Sequence, residues 1–183
     1  MIYKTVFNFK LLNTCGSLLF VLLFVSNFSG CFYSFTGASV PPHLKTIAIP
    51  TFEDRSGIGE PGLREQFTSG LIQKFVSDNT LRIAEKVNAD ALLECTITSF
   101  SDAPAVVASG NRGEGVATSR RITINVKALY KDLVKKKTIS EKNYSNYGDY
   151  STDGNITVNR TGAIQTAVNR INEDILIGTV SNW

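Results

Sequence analysis

Few side chains in this 183-residue sequence could do covalent or acid–base chemistry: it has one histidine and three cysteines. His43 follows Pro41-Pro42, in a stretch that reads as an extended linker where nothing orients its ring. A Ser-His-Asp or Cys-His arrangement needs a positioned base, so nucleophilic hydrolysis is not expected. With a single imidazole and no cysteine pair at zinc spacing, neither a metal site nor a cofactor is expected. Among the carboxylates, Asp90 and Glu94 share one strand face, but four residues of strand set them roughly 13 Å apart at about 3.3 Å per residue. Glycosidase pairs stand about 5 to 9.5 Å apart. The run "GNRGEG" at 110–115 lacks the Lys-Ser/Thr ending of a phosphate-cradling loop and reads as a hairpin connection. No catalytic residue is predicted. An exported hydrolase built on Glu53, Asp54, Asp90 and Glu94 is the weakest functional reading.

The cysteines carry a different chemistry. Lys4 and Lys10 precede the apolar run "LLFVLLFV" (18–25), and no acidic residue occurs before Cys31. A basic start, a short apolar stretch and small residues at a cut site describe an export signal over residues 1–30. The run is eight residues long, whereas a spanning helix needs about 20, so a retained anchor is the lesser alternative. Ser29-Gly30 directly before Cys31 resembles a bacterial lipobox, in which the cysteine sulfur takes diacylglycerol and the chain is cut in front of it. Phe28 stands where leucine is commonest in that motif. Plain secretion without lipid is the competing outcome. Cys15 would leave with the signal. Cys95 in "ALLECTITSF" shares strand parity with Leu93 and Ile97 and reads as a small buried hydrophobe, although a Cys31 to Cys95 disulfide remains open.

Charge excludes one class of partner. Loss of Lys4 and Lys10 with the signal leaves two fewer than the 19 basic residues against 16 acidic ones, close to neutrality. No basic stripe of the kind that marks a nucleic-acid surface is present. A smaller basic group, Arg112, Arg120, Arg121 and Lys127, lies on or beside one strand. It is the candidate site for a phosphorylated lipid, because guanidinium forks grip phosphate. The plainer reading is a set of solvated strand charges.

These residues must be positioned by a folded part that begins after a tether, residues 31–43, containing Phe32, Tyr33 and Phe35. Residues 44–183 read as one domain. "LKTIAIP" (44–50) predicts a strand, and the loop "TFEDRSGIGEPG" leads to a helix near Pro61. Leu63, Phe67, Leu71 and Phe75 recur every four residues, an amphipathic stripe in which Gly70 would permit close approach to a sheet. A short strand "LRIAE", a strand over 91–101 and a long connection "SDAPAVVASGNRGEG" follow. "SRRITINVKALYKD" alternates, with Ile122, Ile124, Val126, Ala128 and Tyr130 on one face and Arg121, Thr123, Asn125, Lys127 and Lys131 on the other, so one face is core and one wet. "TISEKNYSNYGDYS", with Tyr144, Tyr147 and Tyr150, suits a sheet edge. Ile164, Ala167, Val168, Ile171 and Ile175 form the stripe of a closing helix. The expected fold is α+β, a two-layer sandwich with two helices on one face of a mostly antiparallel sheet of about four strands.

"CFYSFTGASVPPHLKTIAIPTFEDRSG", "ADALLECTITSF", "RRITINVKALYKD" and "DILIGTVSNW" together resemble LptE-type lipopolysaccharide-assembly lipoproteins of the outer membrane. The resemblance implies a noncatalytic lipoprotein on the periplasmic face of a Gram-negative outer membrane, anchored through Cys31. It also implies an LptD-like β-barrel partner, which such proteins plug and help assemble, and binding of lipopolysaccharide during its delivery. A different envelope lipoprotein, a scaffold or lipid carrier, is the alternative.

Overall fold

The computed structural model describes residues 40–105 and 119–181. The proposed signal, Cys31, most of the tether and Arg112 lie outside the described residues. In chain order the elements are β1 (Thr46–Ala48), β2 (Glu53–Asp54), α1 (Leu63–Asp78), β3 (Arg82–Ile83), β4 (Ala91–Pro104), β5 (Ser119–Asp132), β6 (Lys137–Ser151) and α2 (Ile156–Val180).

The sheet is mixed and six-stranded, in the order β3-β1-β4-β5-β6, with β2 also pairing with β4. This corrects the expectation of a mostly antiparallel sheet of about four strands: there are six, and three of them join in parallel. The long β4, β5 and β6 are antiparallel, whereas β1, β2 and β3 join in parallel. Pro50 lies in the gap between β1 and β2, which pair with successive levels of β4, at Ala91-Leu92 and at Thr96-Ile97. Proline has no N–H to offer a ladder, which accounts for the break.

The alternation of β5 holds throughout: Ile122, Ile124, Val126, Ala128 and Tyr130 are buried and face the helices. In β4 the buried set changes parity, from Leu93, Cys95 and Ile97 to Phe100. The cause is a bulge at Thr98, the residue skipped between the pairs Ile97↔Val126 and Ser99↔Asn125. One extra residue reverses the facing of everything beyond it, so Phe100 turns back into the core opposite Ile124.

Leu63, Phe67, Leu71 and Phe75 of α1, and Ala163, Ile164, Ala167, Val168, Ile171 and Ile175 of α2, join these strands in one core. Phe52 and Phe67 stack with ring centroids 5.0 Å apart. Helix α2 starts two turns before its apolar stripe, where the Asn155 side chain accepts a hydrogen bond from the Val158 N–H at 3.2 Å and caps it. It lies unusually near β6. A Cβ on Gly148 would stand 2.1 Å from the Ala163 carbonyl oxygen. Gly70 serves a closer approach than the sequence suggests, but to α2 rather than to the sheet. A Cβ there would meet the Asn172 amide at 2.7 Å, and that buried amide donates to the Phe67 carbonyl at 3.2 Å.

Candidate functional site

Because helices cover one sheet face, the other is left for solvent or a partner. Its residues are the outward halves of the strand alternations: Glu94, Thr96 and Thr98 on β4, and Arg121, Thr123, Asn125, Lys127 and the apolar Leu129 on β5. Where Pro50 interrupts the β1–β2 line, a groove of about 490 Å³ opens on this face, lined by Thr51, Glu53, Arg55, Glu94, Thr96 and Lys127 among others. Its charges are of both signs and largely paired. Lys127 meets Glu141 at 2.5 Å, Lys131 meets Glu94 at 2.6 Å, and Arg55 meets Glu53 at 2.9 Å.

The basic residues singled out from the sequence are therefore separated. Arg120 and Arg121 are neighbours on a period-2 strand and so point to opposite faces. Arg121 lies on the open face, clamped by both Asp149 oxygens at 2.6 and 2.8 Å, and its guanidinium sits 3.8 Å above the Tyr147 ring. Lys127 is on the same face, three residue pairs along, roughly 20 Å away. Arg120 is on the helix side, at the end of the sheet where the chain leaves the described residues after Ala105. Of the three tyrosines, Tyr144 and Tyr150 turn toward the helices, and only Tyr147, 40% exposed, faces outward.

Arg120 belongs to a half-buried knot that sequence reading missed. Its Nε donates to Asp102 Oδ1 at 2.8 Å, and the Tyr150 hydroxyl donates to Asp102 Oδ2 at 2.9 Å. Arg160 donates to the same carboxylate at 3.3 Å and grips Glu60 with both terminal nitrogens, at 2.9 and 2.7 Å. The knot ties together the loop before α1, β4, β5, β6 and the first turns of α2. The Arg160 bond holds the Glu60 carboxyl below its ordinary range. At Asp102, burial pushes the pKa up, but the bonds from Arg120, Tyr150 and Arg160 outweigh it and the net direction is down. The signal in the sequence is slight, because the partners Glu60 and Arg160 are 100 residues apart.

The opposite end, where the tether meets the domain, holds a second knot. His43 does have an orienting partner, contrary to the sequence expectation: its Nε2 lies 2.8 Å from Asp132 Oδ2. Asp132 is 1% exposed and also accepts the Lys135 N–H at 2.7 Å. Burial raises its pKa, but the Lys135 N–H and His43 overcome that, so it is lowered. Asp90 accepts the N–H groups of Lys45 and Thr46 and the Thr46 hydroxyl, at 2.9 to 3.0 Å, which lowers its pKa. Among the described residues, no hydroxyl or thiol is hydrogen-bonded to His43, so this pair lacks a nucleophile and reads as a fastening.

What these surfaces define is a two-layer α+β domain with a solvated sheet face, fastened at both ends by hydrogen-bond networks centred on carboxylates. The family model for LptE, lipopolysaccharide-assembly, matches residues 44–177, and the chain belongs to that family. LptE proteins are noncatalytic lipoproteins, which makes this an envelope lipoprotein of the LptE type. Among solved structures, the chain is similar to protein XCC0632 from Xanthomonas campestris, with a TM-score of 0.59 and 10% identity over 78% of this chain and 89% of that one. It is similar also to the hypothetical protein CT253 from Chlamydia trachomatis, with a TM-score of 0.54 and 10% identity over 74% and 95%. The PelC dodecamer from Paraburkholderia phytofirmans follows at 0.50 and 11%, over 76% and 89%. At such identities the likeness is one of fold. The search among curated proteins returned no match.

Proposed function

We propose that the protein is a lipid-anchored outer-membrane component that plugs an LptD-like β-barrel, assists its assembly, and binds lipopolysaccharide on its way to the cell surface. The observation that carries this reading is the family match over residues 44–177. In the proposal, residues 1–30 are removed as the signal, Cys31 takes the acyl chains, and residues 31–43 connect it to the domain at 44–183. The open sheet face suits the polar interior of a transmembrane barrel, because its paired charges stay hydrogen-bonded when water is replaced by a polar wall.

Arg121 and Lys127 are the phosphate-facing positions of that surface, with Arg112 outside the described residues and Arg120 engaged in the Asp102 knot. Lipid phosphate would displace Asp149 from Arg121 and Glu141 from Lys127, exchanging one anion for another. Affinity capture of the tagged, acylated protein from detergent-solubilised envelope tests the partner, with co-purification of a large outer-membrane barrel expected. Depletion should also leave lipopolysaccharide short of the surface. Capture of other envelope complexes without any barrel would overturn the proposal. For the site, Arg121→Glu with Lys127→Glu should weaken lipopolysaccharide binding in vitro more than Arg120→Glu does.

A further inference from the structure

The end of the domain from which the tether departs carries an unusual surface. Strand pairing puts the starts of β1 and β4, the end of β5 and the start of β6 at one level: Ile47 pairs with Ala91, Ala91 with Asp132, and Asp132 with Lys137. The β3–β4 loop and the β5–β6 turn therefore lie side by side around Val40 to Lys45. At their tips stand two of the most exposed large hydrophobics, Val87 at 91% and Val134 at 57%. Around them are Lys45, Lys86, Lys135, Lys136 and Lys137, all exposed. Among the described residues, only Lys86 of these five makes an ion pair, with Glu94 at 3.9 Å. Of the carboxylates Asp78, Glu85, Asp90 and Asp132, two are engaged within the fold and two are exposed. Asp132 is buried under His43 and the Lys135 N–H, and Asp90 is spent on Lys45 and Thr46, leaving Asp78 and Glu85 exposed.

This end is also held rigid. Asp132 pins the β5–β6 turn to the tether through His43, Asp90 pins the β3–β4 loop to β1, and the Leu133 N–H donates to the Asp90 carbonyl at 2.8 Å, joining the two. Two apolar tips and a fringe of lysines are thus presented together, at the place where the chain runs back toward Cys31. Eight residues, 32–39, separate that cysteine from Val40. Fully extended they span at most roughly 30 Å, at about 3.3 to 3.6 Å per residue.

We propose that this end is a membrane-docking face, which seats Val87 and Val134 in the headgroup region of an anionic leaflet while the lysines around them meet lipid phosphates. It deepens the anchored reading above and rests on it. Acyl chains hold the protein to the leaflet but leave its orientation free. A basic apolar face supplies the second signal that fixes it. The strands then stand along the membrane normal, with the open sheet face upright.

The test uses the acylated chain on vesicles of phosphatidylcholine, with or without phosphatidylglycerol, whose acyl chains carry bromine as a quencher. Single tryptophans are introduced as Val87→Trp, Val134→Trp or, at the far end, Ile58→Trp, each in a Trp183→Phe background. Quenching at 87 and 134 but not at 58 is expected, stronger with phosphatidylglycerol and relieved by Lys135→Gln, Lys136→Gln and Lys137→Gln. Equal quenching at all three sites, or indifference to those substitutions, would overturn the face. Flotation of the acylated and Cys31→Ser chains in parallel separates the two readings. An unacylated chain should still prefer phosphatidylglycerol vesicles, with partitioning roughly fivefold weaker for each lysine removed. If Cys31 proves unmodified in material from its host while that preference persists, the anchor falls and the face stands. Equal partitioning of the Cys31→Ser chain to both vesicle types counts against the face.

Discussion

At the scale of single residues, the positions that decide the packing are the ones whose side chains are smallest or most out of place. Gly148 has no room for a methyl group, because the Ala163 carbonyl of α2 occupies it. Gly148→Ala must push the helix away from the sheet, and overpacking of this kind costs about 1–3 kcal/mol. Urea denaturation should show the lowered midpoint, and an unchanged midpoint would mean that α2 shifts freely. Cys95 tests the core from inside. Its burial pushes the thiol pKa to about 12, so it carries almost no reactive thiolate at neutral pH. A maleimide should label it only as the protein unfolds, and labelling in the native state at the rate of a free thiol would contradict its place in the core. The sequence announced Cys95, because it keeps the parity of Leu93 and Ile97. It could not announce Asn172, an amide on the apolar face of α2 whose only justification is a carbonyl of α1 that it reaches across the helix pair.

At the scale of elements, pattern length set what could be read. The 14 residues of β5 alternate without a break, so its two faces were visible from sequence, and both helix stripes were visible for the same reason. Strands of two or three residues, as in β1, β2 and β3, carry too few positions to show a period, and their parallel pairing is fixed by tertiary contacts alone. The Thr98 bulge was invisible because it changes the facing of Phe100 without changing its hydrophobicity. Knots between distant elements were also hidden, and the Arg160 knot is the one whose energetics are testable. Glu60 and Asp102 have folded-state pKa values below their ordinary range. Depressed carboxylates contribute stability that is full above the unfolded pKa, about 4, and is lost as pH falls through the folded value. Thermal unfolding measured downward from pH 5 should therefore fall steeply for the native sequence. In Arg160→Ala, part of that stability is already missing at neutral pH, so the protein should be weaker there by about 1–3 kcal/mol and its acid slope shallower. Parallel slopes for the two proteins would show that Arg160 does not set those carboxylates.

At the scale of the whole molecule, the sandwich has a polarity that neither layer has alone. One end closes on the Arg160 knot, the other on the His43–Asp132 and Asp90 fastenings, and the sheet between them leaves one face wet. Such a body suits a role in which it is held between surfaces, with orientation contributing as much as affinity. The tether end is where that orientation would be set, because a lipid at Cys31 keeps this end of the domain close to the leaflet only if the chain between them is short and firmly attached. His43 matters here through mechanics rather than acid–base chemistry. Packed as it is, with Val40 against the core and its ring on Asp132, it makes the domain begin before Leu44 and shortens the free linker. His43→Ala removes the ring but leaves the hydrophobic core intact, so the global unfolding midpoint should move little. Local opening of residues 40–46 should become easier, and trypsin reports it directly by cutting after Lys45, whose own N–H is fixed to Asp90. Faster cleavage at Lys45 with an unchanged denaturation midpoint is the expected result, since local opening and global unfolding have separate free energies. If cleavage there instead follows the global midpoint across a set of variants, the fastening is part of the core, and the linker is governed by the stability of the whole domain.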